Sequence, residues 1–159
     1  MINVRVNQKN GKNGLFTDEY INGGIVILRF EGVCVDRKDI KNPDDSKDFL
    51  QIGEDLFLNL DGDKSNFISH SCVPNCGIRI GLNKAFLISL HDIEAGAELT
   101  FDYSTTSTDK PQDWILPCNC HKHYCRKLVS GFAELPSKQQ EKYLKLNVVP
   151  DYIKEKLSK

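Results

Sequence analysis

The strongest constraint on this chain is a run of thiols near its C-terminal end, Cys118-x-Cys120-x4-Cys125. With that spacing a tight turn can aim three thiolates at one point, and tetrahedral zinc in a structural site takes four protein ligands. The fourth must come from elsewhere, so whichever segment supplies it is tied to the tail. Cys72 or Cys76 can reach in from the middle of the chain, and His121 or His123 can complete a purely local site. Cys34 and Cys76 have a plainer reading as unpaired cysteines that pack as small apolar core residues.

Six cysteines would suit disulfides in a secreted protein, but the start, Met1-Ile2-Asn3-Val4-Arg5-Val6, alternates polar and apolar and lacks the profile of a signal peptide. A reducing, cytoplasmic setting is expected, where clustered cysteines bind metal. No apolar run approaches the ~18 residues of a membrane span. The formal charge of −1 argues against a broad basic surface, so neither direct nucleic-acid binding nor membrane association is expected. At 159 residues, 40% apolar and 27% charged, the chain fits one ordinary domain with a core of its own.

The apolar pattern is mostly short and of period two, which is a strand signal: Ile2, Val4 and Val6; Leu56, Leu58 and Leu60; Ile78 and Ile80. Ile25-Val26-Ile27-Leu28 and Ala85-Phe86-Leu87-Ile88 are continuous and suit strands covered on both faces. Asn22-Gly23-Gly24, Asp61-Gly62-Asp63 and Glu94-Ala95-Gly96 supply turn chemistry between these pieces. Residues 37–48 read as an exposed loop with one helical turn, and residues 104–111 as a polar, mobile link. Helix is expected near the end, where Ser137-Lys138-Gln139-Gln140 has capping-box spacing and Tyr143, Leu144 and Leu146 offer an apolar stripe. A second short helix is expected over 151–157, pairing Ile153 with Leu157.

Ahead of the thiols stand two further segments, Asn66-Phe67-Ile68-Ser69-His70-Ser71-Cys72-Val73-Pro74-Asn75 and Glu98-Leu99-Thr100-Phe101-Asp102-Tyr103. In this order the three segments resemble a SET-domain lysine methyltransferase with its zinc-binding post-SET tail, and the compact layout is similar to small free-standing bacterial SET proteins. The resemblance spans about residues 3–127 and includes no pre-SET zinc cluster. It implies a mainly β fold of small sheets with a pseudoknot, a post-SET zinc site and short C-terminal helices. The expected division is a SET domain over 2–104, a zinc-binding segment over 114–130 and a helical appendage over 131–159.

The resemblance also implies roles. Cys72 becomes the fourth ligand beside Cys118, Cys120 and Cys125, giving one structural Zn(II) with no open position for water. Tyr103 becomes the catalytic residue that orients the lysine amine, and Phe101 the second wall of the lysine channel. Phenylalanine there, in place of tyrosine, implies room for di- or trimethylation. The S-adenosylmethionine site falls on Asn13, Gly14, Leu15, Ser69, His70 and Asn119. Two departures from the family pattern bear on that site. Lys12-Asn13-Gly14-Leu15-Phe16 keeps only the second glycine of the family's G-x-G-L-F loop, whose shape Asn13 and Gly14 are expected to preserve by left-handed geometry. Ser69 stands where asparagine normally holds the cofactor, and it lacks the amide fork.

The expected activity is methyl transfer to the side-chain amine of a lysine in a protein or peptide, with a histone as one option, in a bacterial cytoplasm or a host cell reached from it. The main alternative is a catalytically impaired SET-fold protein-binding module. Methylation of a non-protein amine is a third option.

Overall fold

The computed structural model describes residues 2–41 and 48–159, so the expected turn at Asn42-Pro43-Asp44-Asp45-Ser46 lies outside the described residues. The chain opens with an antiparallel hairpin, β1 (Val4–Lys9) and β2 (Lys12–Thr17), closed by Asn10 and Gly11 at φ 52° and 75°. Two consecutive left-handed residues make the tight turn whose twist matches paired strands. Asn13 and Gly14 therefore do not form the left-handed loop expected of them. They lie inside β2.

Two three-stranded antiparallel sheets carry the core. β3 (Val26–Arg29) will pair beyond the next strands, because β4 (Val33–Asp36), β5 (Phe49–Gln51) and β6 (Leu56–Asn59) form one sheet in the order β4-β6-β5. After β7 (Ser69–His70), strands β8 (Cys76–Gly81) and β9 (Lys84–Ser89) complete the other sheet in the order β3-β9-β8. In the middle of that sheet Ala85, Leu87 and Ile88 are buried, as their unbroken apolar run predicts. β3 departs from the same expectation. It is an edge strand, so Val26 is 54% exposed while Ile27 is buried. Glycines at φ 81° close the three anticipated turns, at Gly24, Gly62 and Gly96.

The remaining strands are short: β10 (Thr100–Phe101), β11 (Leu116–Pro117) and β12 (Leu128–Val129). β7 and β10 pair in parallel although 29 residues separate His70 from Thr100, whereas β11 and β12 pair antiparallel across the thiol-rich loop. The link after β10 is not an exposed tether. Tyr103–Thr105 form a 3-10 turn, and Ser104, Thr105, Thr106 and Ser107 are all buried, their polar atoms satisfied by backbone and turn contacts such as Thr105 Oγ1 to Asp102 O at 2.7 Å. Arg37–Asp39 supply the one helical turn expected in the earlier loop.

The chain ends in helices α1 (Ser137–Lys145) and α2 (Asp151–Leu157). Ser137 is not the cap of α1; Pro136 takes that place, and Gln140 Nε2 reaches back to Leu135 O at 2.9 Å. A proline cap leaves Ser137 in the first turn, where its hydroxyl has no capping role. Tyr143 and Ile153 are buried, but Leu144 and Leu157 face solvent. With Phe132, Leu135, Val148 and Val149 the two buried residues form a cluster against Ile88 of β9.

Candidate active site

Asparagine fixes the crossing at the centre of the molecule. Asn75 Nδ2 donates to Glu98 O at 2.9 Å, and its Oδ1 accepts from Thr100 N at 2.9 Å, so one side chain pairs with the backbone entering β10 as a neighbouring strand would. Ser71 N adds a bond to Phe101 O at 3.1 Å. These contacts lay the segment after β7 across β10 and bring His70 and Cys72 beside Phe101 and Tyr103. Asn75 carries this structural role although the sequence gives it only as a matched motif position.

Phe101 and Tyr103 meet at a ring separation of 4.8 Å, and both line an open groove of about 880 Å³. Phe49, Leu50 and Phe57 wall it from the β4-β6-β5 sheet side, and Trp114, Ile115 and Leu116 from the tail side. The Tyr103 hydroxyl donates to Ile68 O at 2.6 Å. Burial pushes that hydroxyl up to about 12, with the His70 backbone pulling the other way, so the phenol stays neutral at ordinary pH. A neutral phenol beside a backbone carbonyl in a groove with aromatic walls suits the orientation of an amine.

His70 sits behind Tyr103, with ring centroids 5.3 Å apart. Its Nδ1 accepts from Tyr103 N at 3.2 Å, which leaves the proton on Nε2, 3.3 Å from Cys72 Sγ. Burial holds the imidazole down at about 4, against the opposing pull of Asp102, so the ring is neutral. The ring therefore joins the tyrosine backbone to a cysteine sulfur.

Sequence reasoning missed the charged centre of this region. The Asp102 carboxylate is fully buried and accepts from Arg126 Nη1 at 2.8 Å, Arg126 Nη2 at 2.7 Å, Tyr143 Oη at 2.9 Å and Ser104 N at 3.1 Å. Asp102 directly precedes Tyr103 and Arg126 directly follows Cys125, which is the signal the motifs carried. That the two would meet is invisible until the chain is folded.

The Sγ atoms of Cys72, Cys118, Cys120 and Cys125 lie within 4.8 Å of one another. Cys118 stands 3.7 Å from Cys72 and 3.7 Å from Cys125. A tetrahedron with zinc–sulfur bonds of about 2.3 Å has edges of about 3.8 Å, so the four thiols fit zinc. Of the alternatives, His121 and His123 are exposed and outside the cluster, and Cys76 is a buried core thiol whose burial pushes it up to about 12. Cys34 is exposed, contrary to its reading as a core residue.

The residues expected to hold the methyl donor lie off the groove. Leu15 is buried, and its O accepts from Leu99 N at 2.7 Å; Thr100 in turn pairs with Ser69, and Phe101 with His70. Asn13, Gly14, Leu15, Ser69 and His70 thus belong to one connected set of strands. A Cβ on Gly14 would stand 2.8 Å from Glu98 Oε1, the tip of a side chain that can swing aside, and φ here is not positive, so neither feature demands glycine. Asn119 is exposed, between two thiols of the cluster.

A family model described as the SET domain matches residues 12–104. This chain belongs to the SET-domain family. Among curated relatives, the SET chain is 28% identical over 130 residues to human "Histone-lysine N-methyltransferase 2B", covering 74% of this chain and 5% of that protein. It is 30% identical over 135 residues to "Histone-lysine N-methyltransferase ash1" of Drosophila melanogaster, covering 76% of this chain and 6% of that one. The SET chain therefore spans a small part of the relatives it matches. Among solved structures, "KRYPTONITE in complex with mCHG DNA and SAH" aligns with a TM-score of 0.66 and 25% identity, over 80% of this chain and 29% of that chain. The same protein with mCHH DNA, H3(1-15) peptide and SAH gives 0.65 at 23% identity, over 82% of this chain and 30% of that chain.

Proposed function

We propose that this SET domain transfers a methyl group from S-adenosylmethionine to the side-chain amine of a lysine in a protein or peptide. The observation that carries the reading is Tyr103, which lines an open groove on one side and is backed on the other by His70 and the four-thiol cluster. The names of the relatives and the bound product and H3 peptide in the aligned structures support it, with a histone as one candidate substrate.

The methyl donor supplies an electrophilic carbon on a sulfonium. Lysine has an ordinary pKa of about 10.4 and must lose its proton to water before its lone pair can attack that carbon. The groove walls Phe101 and Trp114 strip water from the lysine stem, while the Tyr103 hydroxyl and Ile68 O offer the amine polar partners at a fixed position. Bound beside that position, the donor would give up its methyl carbon to the amine nitrogen and keep the electrons of the carbon–sulfur bond on sulfur. Zinc held by Cys72, Cys118, Cys120 and Cys125 would brace the tail against β7, with no part in the bond changes. The cofactor contacts are assigned to Asn13, Gly14, Leu15, Ser69, His70 and Asn119. Phe101 is buried and carries no hydroxyl toward Tyr103, which favours a channel that accepts an already methylated amine.

Calorimetric titration with S-adenosylmethionine separates this enzyme from a binding module of the same fold. Stoichiometric binding is the expected result, and no heat of binding at millimolar donor would favour the module. Mass spectra of the exhausted reaction are expected to show di- or trimethyl-lysine; monomethyl product alone would contradict the role given to Phe101.

A further inference from the structure

Helices α1 and α2 lie outside the region matched to the SET family, yet tyrosines from both reach the candidate site from behind. Tyr143 of α1 is 1% exposed and donates to Asp102 Oδ2 at 2.9 Å. Asp102 also caps the 3-10 turn that begins at Tyr103, through Ser104 N at 3.1 Å, so its carboxylate position and the direction of the Tyr103 backbone are one variable. The Tyr152 hydroxyl of α2 lies 2.6 Å from Thr106 O and 3.0 Å from Gln51 O, and both of those residues line the groove.

We propose that Tyr143 is a positioning residue for the reaction: through Asp102 it fixes the turn that aims Tyr103 into the groove. Packing alone does not account for a hydroxyl here. The ring already fills its place among Phe132, Leu135 and Val149, whereas a phenol at that depth is costly to bury unless the bond to Asp102 is made. Arg126 reaches the same carboxylate from the thiol-bearing loop, so three separate segments meet at Asp102: the turn, the tail and α1. Losing Tyr143 would leave Oδ2 to Arg126 alone and free the carboxylate to follow the tail. The inference rests on the functional reading above for its kinetic consequence and on geometry alone for its structural one.

The test compares Tyr143→Phe with Ile153→Ala, which loosens the same helical cluster without touching Asp102. In Tyr143→Phe, turnover is expected to fall about tenfold with KM for donor and peptide unchanged and zinc still stoichiometric. Amide hydrogen exchange at Tyr103 and Ser104 should quicken selectively. Ile153→Ala should lower Tm at least as much while keeping turnover of the folded protein and the exchange of those two amides. Wild-type turnover and exchange in Tyr143→Phe would overturn the proposal, as would an equal loss of turnover in Ile153→Ala. If the unaltered protein transfers no methyl group to any substrate, the functional reading fails, and the exchange comparison still decides the role of Tyr143.

Discussion

At the scale of single residues, Asp102 and Tyr103 show how adjacent positions take unlike duties. Asp102 is wholly buried and holds Arg126 through two bonds, so removing the arginine strands a carboxylate away from water. Arg126→Ala is expected to lower unfolding free energy by about 3 kcal/mol in urea denaturation, and a change near zero would show that the pair carries little. Tyr103 leads to a prediction in pH. Its folded value is raised to about 12 from 10, so its stabilising contribution is complete below pH 10 and is lost as pH rises through 12. Turnover should therefore climb toward pH 10 as the substrate amine loses its proton, with no descending limb from Tyr103 in that range. A rate that falls between pH 8 and 10 while the fold persists would contradict a neutral phenol. Tyr103 and Phe101 were legible as a pair from their motif. Asp102 was not, because a buried carboxylate is recognised only by its partners, and these come from residues 104, 126 and 143.

At the scale of elements, the short strands were legible wherever one face is buried, because alternation then writes itself into the sequence. β3 shows where that breaks down: an apolar run at a sheet edge keeps Val26 in solvent, and no local pattern tells an edge from a centre. Residues 104–107 misled in the opposite direction. Serines and threonines look like a mobile link, yet the Thr105 and Thr106 hydroxyls fold back onto the 3-10 turn, Ser104 Oγ accepts from Arg126 and Ser107 Oγ from Asp109 N, and the segment is buried. Gly131 holds that segment in place, since a Cβ there would stand 2.1 Å from Asp109 O, a backbone atom with no freedom to yield. Gly131→Ala is expected to push residues 107–109 out of their seat and cost at least about 2 kcal/mol, read as a lowered urea midpoint with amide exchange speeded at Thr108 and Asp109. An unshifted midpoint would mean that the contact relaxes without cost.

At the scale of the whole molecule, three parts converge on one turn. The parallel β7–β10 crossing sets His70 behind Tyr103, the thiol cluster draws the tail to Cys72, and α1 reaches the same place through Tyr143. The fourth thiol was legible only through the family pattern, since spacing alone left Cys72, Cys76 and two histidines open. Cys120→Ser is expected to drop metal content from one zinc per chain toward none and to weaken donor binding along with it, measured by elemental analysis and calorimetry. Full zinc content with unchanged binding would show that the brace is misplaced. The most direct measurement is transfer of a labelled methyl group from S-adenosylmethionine to histones and to a protein lysate, with Tyr103→Phe beside the unaltered chain. The account predicts label on lysine that falls about 100-fold or more in Tyr103→Phe, with the variant still folded and still binding the donor. Equal labelling by both proteins, or donor binding with no transfer to any lysine in the lysate, would contradict it.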